Sequence, residues 1–165
     1  MEVYLSPPGL LAVGLPGWLE SQSILTGQKL YQASPISTPR PTLLNRNALR
    51  RATLTVRLAL QVAQDALNDA ELPLHGLASV FACSGGDTDA LDQIFTALTL
   101  PERPVSPNQF NNSVHNAPAG YWSMATGSQA PSISLSAYDA SFAAGLLEAA
   151  GLVHNSRQVV LLVVY

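Results

Sequence analysis

Between Pro131 and Tyr165 the sequence reads strand, sharp turn, helix, strand, an order that leaves a chain few ways to fold. Ser132 to Ser136 has strand character and Ala137-Tyr138-Asp139 forms the turn. Phe142, Leu146, Leu147 and Ala150 then recur at helical spacing, with Gly151 as the stop signal. The last run, Gln158 to Tyr165 (QVVLLVVY), is β-branched and lacks alternation, as expected of a central strand in a parallel sheet. Two such strands joined by a helix make a crossover unit, so the class is α/β. Asp139 stands where it can cap the helix by accepting from N–H groups of the first turn. Many enzymes place a nucleophile at such a turn, where the helix field favours negative charge. This chain has a carboxylate there.

Composition narrows the function classes. The 165 residues suit one domain spanning 1–165, and only 12% of them are charged, against about 25% in an ordinary soluble domain. Few charges and 47% hydrophobic residues point to an apolar face covered by a partner. A net charge of −3 without any basic run gives no reason to expect nucleic acid. Cys83, the lone cysteine, excludes an internal disulfide and fits a reducing compartment. The N-terminus has no basic leader and its apolar run is broken by prolines, so neither a signal peptide nor a membrane span is expected, and the cytoplasm is the default.

Upstream, Glu2 to Leu5 reads as a short strand and Leu10 to Leu15 as a second extended piece, and Trp18 is a core or interface aromatic. Ala33 to Pro41 is a proline-broken connection. Asn45 to Leu72 predicts one long helix, with Arg50 and Arg51 in early turns where the dipole disfavours cations. Those arginines are either a solvated face or a contact for an anionic partner or a carboxylate elsewhere. Leu77 to Cys83 is a buried strand, followed by a helix capped by Asp87 and running to about Leu98. Gly85-Gly86 has neither the lysine of a phosphate loop nor GxGxxG spacing, and no cofactor or metal is expected. Ser106 to Asn116 is an amide-rich polar loop, and Asn116 or Ser113 can cap a helix from Ala117 to Thr126 that stops at Gly127. The small residues beside Tyr121 and Trp122 suit a helix pressed against another chain. His115 serves within its loop or as an acid–base group, and Cys83 packs or acts as a nucleophile.

The stretches NALRRATLTVRLALQVAQDAL, SPNQFNNSVHNAPAGYWSMATG and PSISLSAYDASFAAG together resemble the N-terminal half of a β-ketoacyl synthase. Within that family they are similar to a short, chain-length-factor-like subgroup associated with aryl polyene pathways. The resemblance implies a thiolase-like α/β fold, N-terminal half only, with a mainly parallel mixed sheet and covering helices. The family's elbow runs approximately G-P-S-x-x-x-D-T-A-C-S-S, and alignment on Pro131-Ser132 places its cysteine on Asp139 and its serines on Ala140 and Ser141.

By the same resemblance the family's two catalytic histidines belong to a C-terminal half, so His115 and His154 do not inherit their roles. The chain stops on a strand without helix cover, which reads as a fragment or as a surface that other chains cover. The resemblance therefore implies a non-catalytic subunit that pairs with an active ketosynthase, or with itself, and meets acyl carrier protein only indirectly. The interface and tunnel residues implied are Phe110, Asn112, His115, Asn116, Tyr121, Trp122, Ser134, Ser136 and Tyr138. Two other classes stay open at this point: an acyltransferase or thioester hydrolase using Ser141 or Cys83 with His115, and a small-molecule module built on Asn108 to Asn116.

Overall fold

Strand β1, Ala78–Ala82, is buried at every position, and this apolar run organises the fold. The computed structural model describes residues 2–68, 70 and 72–165. Strand β2, Ser132–Leu135, and strand β3, Val160–Val164, flank β1 in the order β2-β1-β3. Both pairings are parallel, Val80 lying opposite Ile133 on one side and Leu162 on the other. The expected mixed sheet is thus wholly parallel among the described residues. The sole antiparallel feature among them is the isolated bridge between Ala12 and Leu15.

Successive side chains of β1 point to opposite faces. Phe81, fully buried, faces a cluster with Ala59, Ala63, Ala119 and Trp122, supplied by α3 (Leu54–Leu67) and α6 (Ala117–Thr126). Ala82 faces α7 (Ser141–Ser156), and a Cβ at Gly145 would come within 2.7 Å of the Ala82 Cβ. The result is a three-layer α/β/α arrangement.

The helices correct several expectations. The single helix foreseen from Asn45 to Leu72 is two: α2, Arg46–Arg51, and α3. Asn45 caps the first through Asn47 N and Ala48 N, and Thr53 caps the second through Val56 N. Ala52 and Thr53 are extended between them, and the carbonyls this break frees are taken by Arg57. Its Nε donates to Ala52 O at 3.1 Å and its guanidinium to Leu49 O at 2.7 Å. Arg50 and Arg51 therefore occupy a last turn, where the dipole favours them. Positions 69 and 71 of the expected helix lie outside the described residues.

Helix α7 continues through Gly151 to Arg157, which takes the left-handed conformation at its C-cap. Its buried face is Ser141, Gly145 and Ala149, whereas Phe142 and Leu147 of the expected core stripe are 61% and 72% exposed. Helix α1, Trp18–Leu25, stands where no helix was expected. Glu2 to Leu5 is not a strand: Pro7 and Pro8 remove donors just after it, and Tyr4 and Leu5 are exposed. Helix α4, Thr88–Thr99, has the expected cap, Asp87 Oδ1 accepting from Ala90 N at 3.0 Å. Helix α6 has the expected bounds and the left-handed Gly127 stop, though Asn116 caps it by backbone position without a side-chain bond. Among the described residues no helix is long and apolar enough to cross a membrane.

Gly145 tests the packing of α7 on β1. Alanine is the better helix former by about 1 kcal/mol, yet its Cβ must displace buried Ala82. Gly145→Ala is therefore expected to lower unfolding free energy by roughly 1–2 kcal/mol in denaturant titrations. An unchanged midpoint would mean that helix and sheet lie farther apart.

Candidate functional site at the elbow after strand β2

Parallel strands end on one edge, and in open α/β sheets that edge is where ligands and partners gather. Here Cys83 follows β1, Ser136 to Asp139 follow β2, and Tyr165 follows β3. The elbow is sharp because Tyr138 adopts φ +53°, a left-handed conformation costly for a bulky residue. Ser141 holds it in place. Its Oγ accepts from Ala137 N at 3.0 Å and donates to Tyr138 O at 2.6 Å. Ser136 Oγ adds a bond to Ser84 O at 3.2 Å, joining the ends of β1 and β2.

Asp139 sits in the 3₁₀ turn Tyr138–Ala140 and is exposed. The helix cap expected of it is not made: Ala140 occupies the cap position of α7 and no side chain bonds there. The turn inserts one residue between Asp139 and the helix, and Ser141 takes over the tie. The carboxylate still lies at the positive end of α7. Ser141, buried and bonded on both sides, is spent on the backbone and is not poised as a nucleophile.

The loop before α6 is tied to the same edge. His115 Nε2 lies 3.0 Å from Leu135 O, and a carbonyl only accepts, so Nε2 carries the proton. The Tyr165 hydroxyl donates to His115 O at 2.9 Å. His115 thus bonds outside its own loop, bridging it to β2. The Tyr165 phenol is held well above its ordinary range near 10, first by burial and then by the nearby Cys83 and Asp87. Cys83 is buried and its sulfur accepts from Gly86 N at 3.1 Å, a packing arrangement.

The expected interface residues separate into two groups. Phe110 and Tyr138 project, 63% and 79% exposed, with Asn116 and Ser136 exposed and His115, Tyr121 and Ser134 half-buried. Asn112 and Trp122 belong to the interior instead, at 1% and 0% exposure. Trp122 fills the cluster around Phe81, and Asn112 donates to Arg51 O and Asn108 O. The amide-rich loop is partly helical, α5 spanning Pro107–Asn112. Three of its amides make internal bonds: Asn108 to Arg51 O, Gln109 to Gln93, and Asn112 to Arg51 O and Asn108 O. Val114 and Phe142 are also exposed, 48% and 61%, on the two segments that flank the elbow. Their signal was weak, since apolar residues in a loop or on a helical stripe read as core.

Two measurements check these assignments. Ser141→Ala should cost roughly 1–3 kcal/mol of stability by thermal or chemical unfolding, while intact mass after incubation with an acyl thioester shows no adduct on either protein. An adduct lost on mutation would restore Ser141 as a nucleophile. Because an unfolded phenol ionises before the buried one, stability should fall as pH rises above about 10. Tyr165→Phe should flatten that fall in alkaline titrations, and an unchanged slope would mean the phenol is not buried as described.

Comparison with known proteins places this geometry. No curated protein sequence matches the chain. Among solved structures, it is similar to a chain of the ketosynthase ApeO in complex with its chain length factor ApeC from Xenorhabdus doucetiae. The identity is 26% and the TM-score 0.70, covering 88% of this chain and 59% of that one, so the chain spans less than two thirds of its relative's length. Residues 26–165 match the family model described as the β-ketoacyl synthase N-terminal domain. With a parallel three-stranded sheet, its covering helices and an elbow closing β2 onto α7, the chain is a member of the β-ketoacyl synthase N-terminal domain family.

Proposed function

We propose that this protein is a non-catalytic, chain-length-factor-like subunit that pairs with an active β-ketoacyl synthase in fatty acid or polyketide assembly of the aryl polyene type. The observation that carries the reading is Asp139, exposed on the elbow where the family pattern has its cysteine. Acyl transfer from a thioester to a carboxylate would yield a mixed anhydride, an uphill step, whereas transfer to a thiol is nearly balanced. His115 cannot act as a free base through Nε2, because that nitrogen donates to Leu135 O.

The partner face is the open edge of β2 with the segments on either side of it. In this reading Ser134 and Ser136 present the edge, and Phe110, His115, Asn116, Tyr121 and Tyr138 frame it. Asn112 and Trp122 act from beneath by fixing α5 and α6. An apolar ring projecting across such an interface limits an acyl chain by steric exclusion, and Tyr138 is the foremost candidate. Acyl carrier protein would deliver substrate to the catalytic subunit and touch this one indirectly, which places the pair in the cytoplasm. Structural similarity to a ketosynthase–chain length factor complex supports this partnership.

Co-expression with an aryl-polyene-type ketosynthase is expected to give a stable one-to-one complex on size exclusion. Tyr138→Ala should leave that complex intact and shift its products toward longer chains, read by mass spectrometry of the carrier-bound acyl groups. Purification as a stable monomer indifferent to every such ketosynthase would contradict the pairing, and an unchanged product profile would remove Tyr138 from chain-length control.

A further inference from the structure

Asp139 is an exposed carboxylate with no counter-charge on its own part of the chain. From Pro104 to Ser156, the stretch that supplies α5, α6, β2, the elbow and α7, there is no lysine or arginine, and Glu148 is the only other acidic residue. The Asp139 side chain does not cap α7, so it is not spent on the backbone as Ser141 is. Its surroundings are apolar and exposed. Tyr138 precedes it, Phe142 follows three residues later, and Val114 stands on the loop that His115 ties to the end of β2. Large apolar groups exposed together mark a contact surface, and here they enclose a single fixed charge.

What meets that charge follows from the proposed pairing, on which this inference rests. Closing the β2 edge and the elbow against a second subunit takes Asp139 out of water. A carboxylate left unpaired at such a contact is costly, and a cation from the partner offsets the cost. A guanidinium suits the place better than an ammonium group. It is planar, more weakly hydrated, stacks on aromatic faces and meets a carboxylate through two N–H groups at once. Exposed rings on both sides of Asp139 in the sequence supply such faces, whereas one carboxylate is too few for a divalent cation. We infer that the elbow receives an arginine side chain of the paired subunit, Asp139 accepting from its guanidinium and Phe142 packing against its plane. The pair then selects an unlike partner. A second copy of this chain meeting through the same face offers no cation there, and both carboxylates would stay unpaired.

The dissociation constant of the complex with an aryl-polyene-type ketosynthase, measured for variants of both subunits, tests it. Asp139→Asn keeps the size and removes the charge, and it should weaken pairing by at least about tenfold, mainly through faster dissociation. Phe142→Leu should weaken it by about two- to fivefold. Replacing the ketosynthase's arginines by alanine, one at a time, should reveal one whose loss matches that of Asp139→Asn, and the two losses combined should not add. That scan uses the unmutated chain, so its reading does not depend on a variant folding. Pairing that Asp139→Asn leaves unchanged or tightens, or a scan in which no arginine matters or every loss adds, would overturn the inference and leave the partnership standing. A lysine joined to Asp139 by carbodiimide coupling, read by peptide mass spectrometry, would overturn it as well. No complex between the two unmutated proteins would instead reject the partnership, and the inference with it.

Discussion

The closeness of α7 to β1 at Gly145 and Ala82 is the constraint on which the remaining architecture depends. A side chain at Gly145 would force the helix outward. With the helix seated, only the residues between Leu135 and Ser141 remain to turn the chain, and Tyr138 must take a left-handed conformation. That conformation costs about 1–2 kcal/mol. The two bonds of Ser141, at about 1 kcal/mol each, roughly offset it, so the elbow persists without a glycine. A strand buried along its whole length then holds the helix, the elbow and both flanking strands in register.

The same edge gathers the polar ties. His115 reaches Leu135, Tyr165 reaches His115, and Ser136 reaches Ser84, so the ends of all three strands and the loop before α6 are tied together. The elbow is held as a sharp turn by hydrogen bonds of Ser141 and a left-handed Tyr138. A carboxylate occupies the tip, and the neighbouring hydroxyl is used for backbone support. Apolar groups, Phe110, Val114, Tyr138 and Phe142, stand exposed on the elbow and the segments flanking it.

Much of this was legible in the sequence where one physical signal acted alone. Continuous apolar runs marked β1 and β3, and the turn after Ser136 marked the end of β2. Asp87 and Gly127 marked helix ends because caps and stops are local. The misreadings arose where two signals competed. Apolar periodicity from Asn45 to Leu67 ran across a break, because Thr53 as a cap fits the same spacing that a continuous helix would give. In α7 the apolar stripe pointed outward, since close approach to the sheet selects Ser141, Gly145 and Ala149 over larger residues. Gly151 sits inside that helix despite its weak propensity. At the site, the sharp turn and the carboxylate at its tip were readable. The bonds of Ser141 and His115 were not, as they join residues whose partners only folding brings near. Burial of Asn112 and Trp122 was hidden for a related reason: helical small-residue patterns do not say which side faces a partner.

Carbon dioxide release from malonyl thioesters tests the central claim most directly, measured for this chain alone, for a partner ketosynthase alone, and for the two together. The expected result is no decarboxylative condensation by this chain alone and chain elongation by the mixture, with every covalent acyl group on the partner. Turnover by the isolated chain, with acyl groups attached to its own residues, would contradict a subunit kept for contact alone.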